Sequence, residues 1–228
     1  MYPCEMDHKF KIEGIYDQRT LKLLKSRSVR DFGFNFSPKS FNFIQEHVFL
    51  NELIPLLDPL DKIYLNFSRS NDPMIGKVLE DLKKVGIQSS SLFLECDEWV
   101  GNPSDFGIHY FLNYYPEIDM QKCVGEFFSG MIFKFSFFED LHQRGILNNF
   151  IANFYTHFKK YLTEDKKIIV KIEWNDNVFP SLFDYLDIDL MSFSINSQME
   201  VCYRNVDLKK LANEMEMIKQ NKDLIDNF

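Results

Sequence analysis

The segment from Lys9 to Ser40 reads KFKIEGIYDQRTLKLLKSRSVRDFGFNFSPKS, and it contains the repeating unit from which the fold can be predicted. Two apolar runs, at 9–14 and 31–36, have the length and composition of buried strands. Between them, Asp17 can cap a helix whose leucines give it one buried side. A strand, a helix and a second strand predict a parallel pair joined by a crossover helix.

The same alternation continues to the end of the chain. Further strands are predicted at 62–67, 91–96, 107–112, 130–135, 167–172 and 188–193. Helices are predicted around 49–56, from Asp72 to Gly86, over 119–128, over 148–162 and after Asp207. Eight strands alternating with helices predict a (β/α)₈ TIM barrel, since closing a parallel sheet removes its two edges. The 228 residues suit a single barrel domain over 1–228, close to the ~250 residues usual for this fold.

Composition favours a packed protein without nucleic-acid or membrane partners. Hydrophobic residues make up 45% of the chain, and 24 residues are phenylalanine. The formal net charge of −8 repels nucleic-acid phosphates and anionic lipid headgroups. No stretch has the ~20 apolar residues that a membrane span needs, and the N-terminus lacks a signal pattern. We therefore expect a cytoplasmic protein, either a monomer or a homodimer.

The cysteines and histidines do not predict a metal site or a cofactor. Cys4, Cys96, Cys123 and Cys202 are scattered without CxxC spacing, and the five histidines are equally dispersed. We interpret the cysteines as reduced thiols that fill small apolar spaces. Glutamates at 13, 95 and 173 could approach one another as ligands of a divalent cation. No DxD or HxH pattern accompanies them, so no metal is predicted.

Several short motifs resemble those of phosphoribosylanthranilate isomerases, in the same order. KIEGI at 11–15, GFNF at 33–36 and SPKS at 37–40 match the family's KICGI strand, GFVF strand and PKSPR loop without a gap. Similar motifs follow along the chain: LECDE at 94–98 for LHGDE, Asn177-Val178 for NV, and DLMS at 189–192 with Asp207 for DVSSG…KD. The resemblance spans most of the chain and implies the TIM-barrel fold of that family.

The resemblance also implies a reaction, an Amadori rearrangement in tryptophan biosynthesis. In the family, a cysteine of the first strand removes a proton beside the imine carbon. An aspartate that ends the sixth strand protonates the ribose ring oxygen. Here Glu13 stands at the cysteine position, and the sixth strand offers Lys134 and Ser136 but no aspartate. Glu13 and Lys134 are therefore the candidate catalytic residues, because a carboxylate can replace a thiolate as a base.

The positions that bind substrate in the family are also changed. Asn42 stands where an arginine would hold the anthranilate carboxylate, and it cannot supply the same charge. Lys171 and Ile172 stand where glycine amides would cradle phosphate, and Phe193 replaces a glycine of strand eight. The candidate residues for a small phosphorylated or anionic ligand are Lys39, Asn42, Lys171, Ser192 and Ser194.

Each candidate also has a structural interpretation. Glu13 is either a general base for a changed reaction or a polar residue of a disused pocket. Lys134 and Lys171 either hold an anionic ligand or form ion pairs, because unpaired charges inside a barrel are costly. Their candidate partners are Glu13, Glu95 and Glu173. The pairing interpretation predicts a charge network at the barrel mouth.

The serines and tryptophans near the strand ends allow two interpretations as well. Ser192 and Ser194 either bind a ligand or are simply polar residues at a strand terminus. Trp99 and Trp174 either form a stacking wall for a flat ring or plug the barrel top.

Three functions remain open on the sequence alone. The first is a diverged isomerase-like barrel in which the family reaction is lost or altered. The second is an active sugar-phosphate isomerase with Glu13 as general base, which a strand-end cavity holding a phosphate-like anion would favour. The third is a non-catalytic barrel that binds a ligand or a partner. Filling of the cavity by Phe135, Trp174 and Phe193 would favour it.

Overall fold

Eight parallel strands close into a barrel in chain order, and β8 pairs with β1 to complete it. This computed structural model describes residues 9–225 except 159–160, 162–164, 177, 179–181 and 184–185. The strands are β1 Lys9–Glu13, β2 Asp31–Asn35, β3 Lys62–Arg69, β4 Leu92–Glu98, β5 His109–Asn113, β6 Phe128–Lys134, β7 Lys167–Ile172 and β8 Leu190–Ser194. The predicted TIM barrel is confirmed.

The α-helices lie outside the barrel and include α1 Gln18–Ser26, α2 Glu46–Val48, α3 Met74–Lys84, α4 Phe135–Gln143, α5 Leu147–Phe158 and α6 Leu208–Ile225. Helices α1, α3, α5 and α6 correspond to predicted helices. Asp17 caps α1 as predicted, and its carboxylate accepts the amides of Arg19 and Thr20 at 2.9 Å. None of the helices among the described residues has the length and apolar character needed to cross a membrane.

Two helix predictions were wrong in part or in full. The segment around 49–56 is helical, but α2 continues as a π-helix over Phe49–Leu53 and a 3₁₀-helix over Ile54–Leu56. Pro55 lacks the amide that would continue an α-helical ladder. No α-helix forms over 119–128; a 3₁₀ turn at Met120–Cys123 is followed by Gly125 at φ +121° and then by β6. Val124 is already extended, with φ −116° and ψ 139°, so helical geometry ends before Gly125.

Helix α4 was missed by the sequence analysis because it follows β6 directly, inside one phenylalanine-rich run. The helix predicted over 148–162 is α5, and Leu162 lies outside the described residues. Phe154 and Phe158 of α5 are buried, and Phe150 is partly buried against the core. The predicted core-facing stripe is therefore confirmed, and it covers Tyr114 at the end of β5.

The barrel interior has an apolar floor beneath a polar half. The floor residues are Tyr64, Phe93, Phe111, Ile132, Ile169 and Leu190. Alternate residues of a strand face the same side, so Lys171 follows Ile169 inward, and Ser192 follows Leu190. The polar half lies at the carboxyl ends of the strands, where TIM barrels carry their functional sites.

An unpredicted hairpin, β9 Glu200–Cys202 and β10 Asn205–Val206, separates β8 from α6. Arg204 occupies its turn at φ +59°. The Arg204 guanidinium lies 4.4 Å from the centre of the Tyr16 ring and donates a 2.8 Å hydrogen bond to the carbonyl of Phe43. The hairpin is thereby attached to the loops that follow β1 and β2.

Replacing Gly130 by alanine should destabilise the barrel strongly. Gly130 has φ +143°, and an added Cβ would lie 1.8 Å from the carbonyl oxygen of Lys167 on the adjacent strand. We expect Gly130→Ala to lower the free energy of unfolding by more than about 2 kcal/mol, measured by urea denaturation. The control is Gly76→Ala in α3, where a Cβ has open space and should stabilise by about 0.5–1 kcal/mol. Equal stabilities of the two variants would contradict the assigned register of β6 and β7.

Candidate functional site

Lys11 lies fully buried inside the barrel, in the polar half above the floor. Its Nζ donates a 2.6 Å hydrogen bond to Oε1 of Glu95 and lies 3.1 Å from Oε2 of Glu13. The same ammonium lies 4.6 Å from the centre of the Tyr64 ring, and the Tyr64 hydroxyl donates to Asp31 at 2.9 Å. A buried ammonium group needs hydrogen-bond and ion-pair partners such as these to offset the loss of hydration.

Lys171 completes a closed set of two lysines and two glutamates, which we call the charge network: Lys11, Glu13, Glu95 and Lys171. Its Nζ lies 3.2 Å from Oε2 of Glu13 and 3.2 Å from Oε2 of Glu95. Ser192 pairs in register with Lys11 on one side and with Lys171 on the other, and its Oγ donates to Glu13 at 3.1 Å. The predicted pairing of Lys171 with carboxylates is therefore confirmed.

The charge network keeps its carboxylates ionised. Burial alone would raise the pKa of Glu13, but the positive charges of Lys171 and Lys11 lower it to about 2. Burial also opposes ionisation of Glu95, and Lys11 and Lys171 again lower its pKa below the usual value. The pKa of Lys171 lies above its ordinary value, because Glu13 and Glu95 outweigh the effect of burial. The network carries two positive and two negative charges, so its sum is zero.

A cavity of about 280 Å³ opens above the charge network at the carboxyl ends of the strands. Its walls include all four network residues, the amides of Asn35, Asn42 and Asn66, the hydroxyl of Ser194 and the ring of Phe41. A cavity in this position, lined by convergent polar groups, is the default candidate for a binding site.

Asn42 ties the loop after β2 to the end of β8. Its Nδ2 donates to Oγ of Ser194 at 2.8 Å and to the carbonyl of Ile195 at 2.9 Å, and its Oδ1 accepts from Asn35 at 2.9 Å. Gly14 makes room for this contact, since a Cβ there would lie 1.9 Å from Asn42 Nδ2. The Asn42 amide is thus engaged within the protein.

The structure brings most, but not all, of the predicted site residues together. Glu13, Asn42, Lys171, Ser192 and Ser194 meet at the cavity or directly beneath it. Lys134 is exposed at the end of β6 and makes no ion pair with the described residues, although its charge acts on nearby Asp97. Lys39 is exposed on the loop after β2 and does not line the cavity. The catalytic and binding roles of all seven residues stay predictions.

Glu173 lies outside the charge network. Its carboxylate accepts a 2.6 Å hydrogen bond from Asn196 on the exposed rim. Among the described residues, no three histidine, cysteine, aspartate or glutamate side chains come close enough to hold a metal ion.

Phe135, Trp174 and Phe193 do not fill the cavity. Phe193 alternates with the inward-facing Ser192 and Ser194, so its side chain faces outward. There it packs against Trp174, with the two ring centres 5.0 Å apart. Phe135 is buried in the core at the start of α4. The two tryptophans share no wall either, because Trp99 lines a separate cavity of about 180 Å³ beside β4 and β5.

Lys11 and Asn66 are among the site residues that sequence reasoning missed, as are Asn35 and Phe41. Strand alternation contained the signal for the first two, because Lys11 shares a face with Glu13 and Asn66 shares one with Tyr64. Alternation identifies the face of a strand but does not identify the partner across the barrel, which for Lys11 is Glu95, 84 positions away.

Comparisons with known proteins agree with this fold. No family model and no curated protein matches the sequence. The structure is similar to a phosphoribosylanthranilate isomerase in complex with reduced 1-(o-carboxyphenylamino)-1-deoxyribulose 5-phosphate, with 16% identity, a TM-score of 0.54 and coverage of 89% of this chain and 93% of that one. The Thermus thermophilus isomerase has 13% identity and a TM-score of 0.54, and the match covers 93% of this chain and 98% of that one. TrpF of Jonesia denitrificans has 13% identity and a TM-score of 0.56, and the match covers 90% of this chain and 93% of that one. The resemblance predicted from the motifs is confirmed for the fold.

Breaking the charge network should cost stability. Glu95→Gln leaves Lys11 without its closest carboxylate, and we expect the free energy of unfolding to fall by about 3–5 kcal/mol. Adding Lys11→Met to Glu95→Gln should recover part of this loss, because the unpaired ammonium is removed. The control is Glu98→Gln, whose exposed pair with Arg69 should change stability by under about 1 kcal/mol. Similar losses for Glu95→Gln and Glu98→Gln in urea denaturation would contradict the buried network.

Glu13 should make the protein sensitive to acid. Its pKa is about 2 in the folded protein, against about 4.3 in an unfolded chain. The stabilisation is therefore fully present above about pH 4.5 and is lost as the pH falls toward 2. In urea denaturation between pH 6 and 2.5, Glu13→Gln should show a shallower fall in stability than the unmodified protein. Parallel pH profiles would show that Glu13 has an ordinary pKa.

Proposed function

We propose that this barrel has lost the Amadori rearrangement of the isomerases it resembles and binds a small polar ligand in the cavity above the charge network. The observation that carries the proposal is the pairing of Glu13 with two lysines, Lys11 and Lys171, at 3.1 and 3.2 Å. A group that stands at the position of the family's base is thereby held as a structural ion.

Proton abstraction is the step that this pairing opposes. A general base works best when its pKa lies near the operating pH, whereas the pKa of Glu13 is about 2. Its Oε2 is also within reach of Lys11, Lys171 and the Ser192 hydroxyl. Taking a proton would break the interactions that offset the burial of Lys11.

The remaining steps of the family reaction lose support for different reasons. Lys134 stands at the strand that would end in the acidic aspartate, but it is exposed and does not line the cavity. Asn42 carries no charge for a carboxylate, and its amide is engaged with Ser194 and Ile195. Lys171 replaces a glycine of the phosphate cradle, and its ammonium is bound by two carboxylates.

A second candidate is a sugar-phosphate isomerase that uses Glu13 as its base. One observation favours it: Glu13 lines the cavity, and its Oε1 has no hydrogen-bond partner among the described residues.

The expectations of a cytoplasmic location, of a monomer or homodimer and of no nucleic-acid partner stay predictions.

The decisive experiment is complementation of a tryptophan auxotroph that lacks this isomerase. We expect no growth without tryptophan when this chain is expressed, while an active isomerase restores growth. Circular dichroism of the purified chain should show a folded α/β protein, so that a failure to grow is not a failure to fold. Growth that is abolished by Glu13→Gln would contradict the proposal and establish the second candidate.

A further inference from the structure

We infer that the cavity takes an uncharged, polyhydroxylated molecule of about monosaccharide size. This inference rests on the proposed function, because it names the ligand class of the same site. The cavity of about 280 Å³ lies at the lower end of the ~300–1,000 Å³ usual for small-molecule pockets. Its size suits one sugar ring better than a sugar phosphate that also carries an aromatic group.

The charges beneath the cavity disfavour an anionic ligand. Each lysine of the network is already within 3.2 Å of two carboxylates. A phosphate that approached Lys171 would also meet Glu13 and Glu95, and this like-charge contact opposes binding. A neutral hydroxyl can add a hydrogen bond to Lys171 or Glu13 without breaking an ion pair.

The hydrogen-bonding groups that remain unused match hydroxyl groups. The Asn66 side chain lines the cavity and has no hydrogen-bond partner among the described residues. Oε1 of Glu13 is likewise without a described partner, and Ser194, whose Oγ accepts from Asn42, keeps its own hydrogen to donate. A hydroxyl group both donates and accepts, so a donor-and-acceptor amide beside a carboxylate suits a polyol.

One wall of the cavity is aromatic. Phe41 lines it and is 41% exposed. The ring of Tyr203, from the β9–β10 hairpin, packs edge-on against the ring of Phe41, and the two ring centres are 6.2 Å apart. The face of a sugar ring carries C–H groups that pack on such a surface, while its hydroxyls reach the polar walls. The cavity therefore combines the two surfaces that a monosaccharide presents.

Isothermal titration calorimetry of the full chain tests the inference. The neutral probes are D-ribose, D-glucose, D-galactose and myo-inositol, and the charged probes are D-ribose 5-phosphate and inorganic phosphate. We expect at least one neutral probe to bind about tenfold more tightly than either charged probe, with little dependence on salt. Tighter binding of ribose 5-phosphate would overturn the ligand class alone. Absence of binding by every probe would overturn the proposed binding function as well.

Variants then locate the binding. Asn66→Ala and Phe41→Ala should each weaken binding of the best neutral probe by about tenfold. The matched control is Asn149→Ala, on the exposed side of α5, which should bind as the unmodified protein does. Thermal melting should confirm that all three variants are folded. If Asn66→Ala binds as tightly as Asn149→Ala, the ligand does not occupy this cavity.

Discussion

The ammonium group of Lys11, fully enclosed by the barrel, is the charge on which the interior depends. A charge so far from water needs carboxylates beside it, and Glu13 and Glu95 provide them from β1 and β4. Two carboxylates in one interior repel each other, and Lys171 of β7 offsets that repulsion. The network therefore joins three strands through their side chains, in addition to the backbone hydrogen bonds that close the barrel.

Stability and proton transfer make opposite demands on Glu13. Ion pairing stabilises the ionised carboxylate and so weakens it as a base, whereas catalysis needs a group that can change its protonation state. The same carboxylate cannot serve both purposes well. TIM barrels host many activities, so the function of this protein depends on the residues of this site and does not follow from the similarity to isomerase structures.

The sequence predicted the elements whose signals are local. Strand runs and the cap at Asp17 follow from composition and spacing within a few residues, whereas the place of Lys171 at the barrel mouth was implied by the resemblance. The irregular connection around Gly125 was missed because the residue pattern does not reveal the backbone conformation there. Helix α4 was missed because its phenylalanines continue a strand-like run. The role of Lys11 was missed because its partner Glu95 is fixed only when the barrel closes.

The hairpin after β8 has a consequence for how a ligand would be received. Arg204 holds Tyr16 and the carbonyl of Phe43, and Asn42 fastens the same region to β8 from within. The rim is thus braced from two sides before anything enters it. A preorganised rim loses little conformational entropy when a ligand binds. A ligand that makes only weak interactions can therefore bind without any closing movement of the loops.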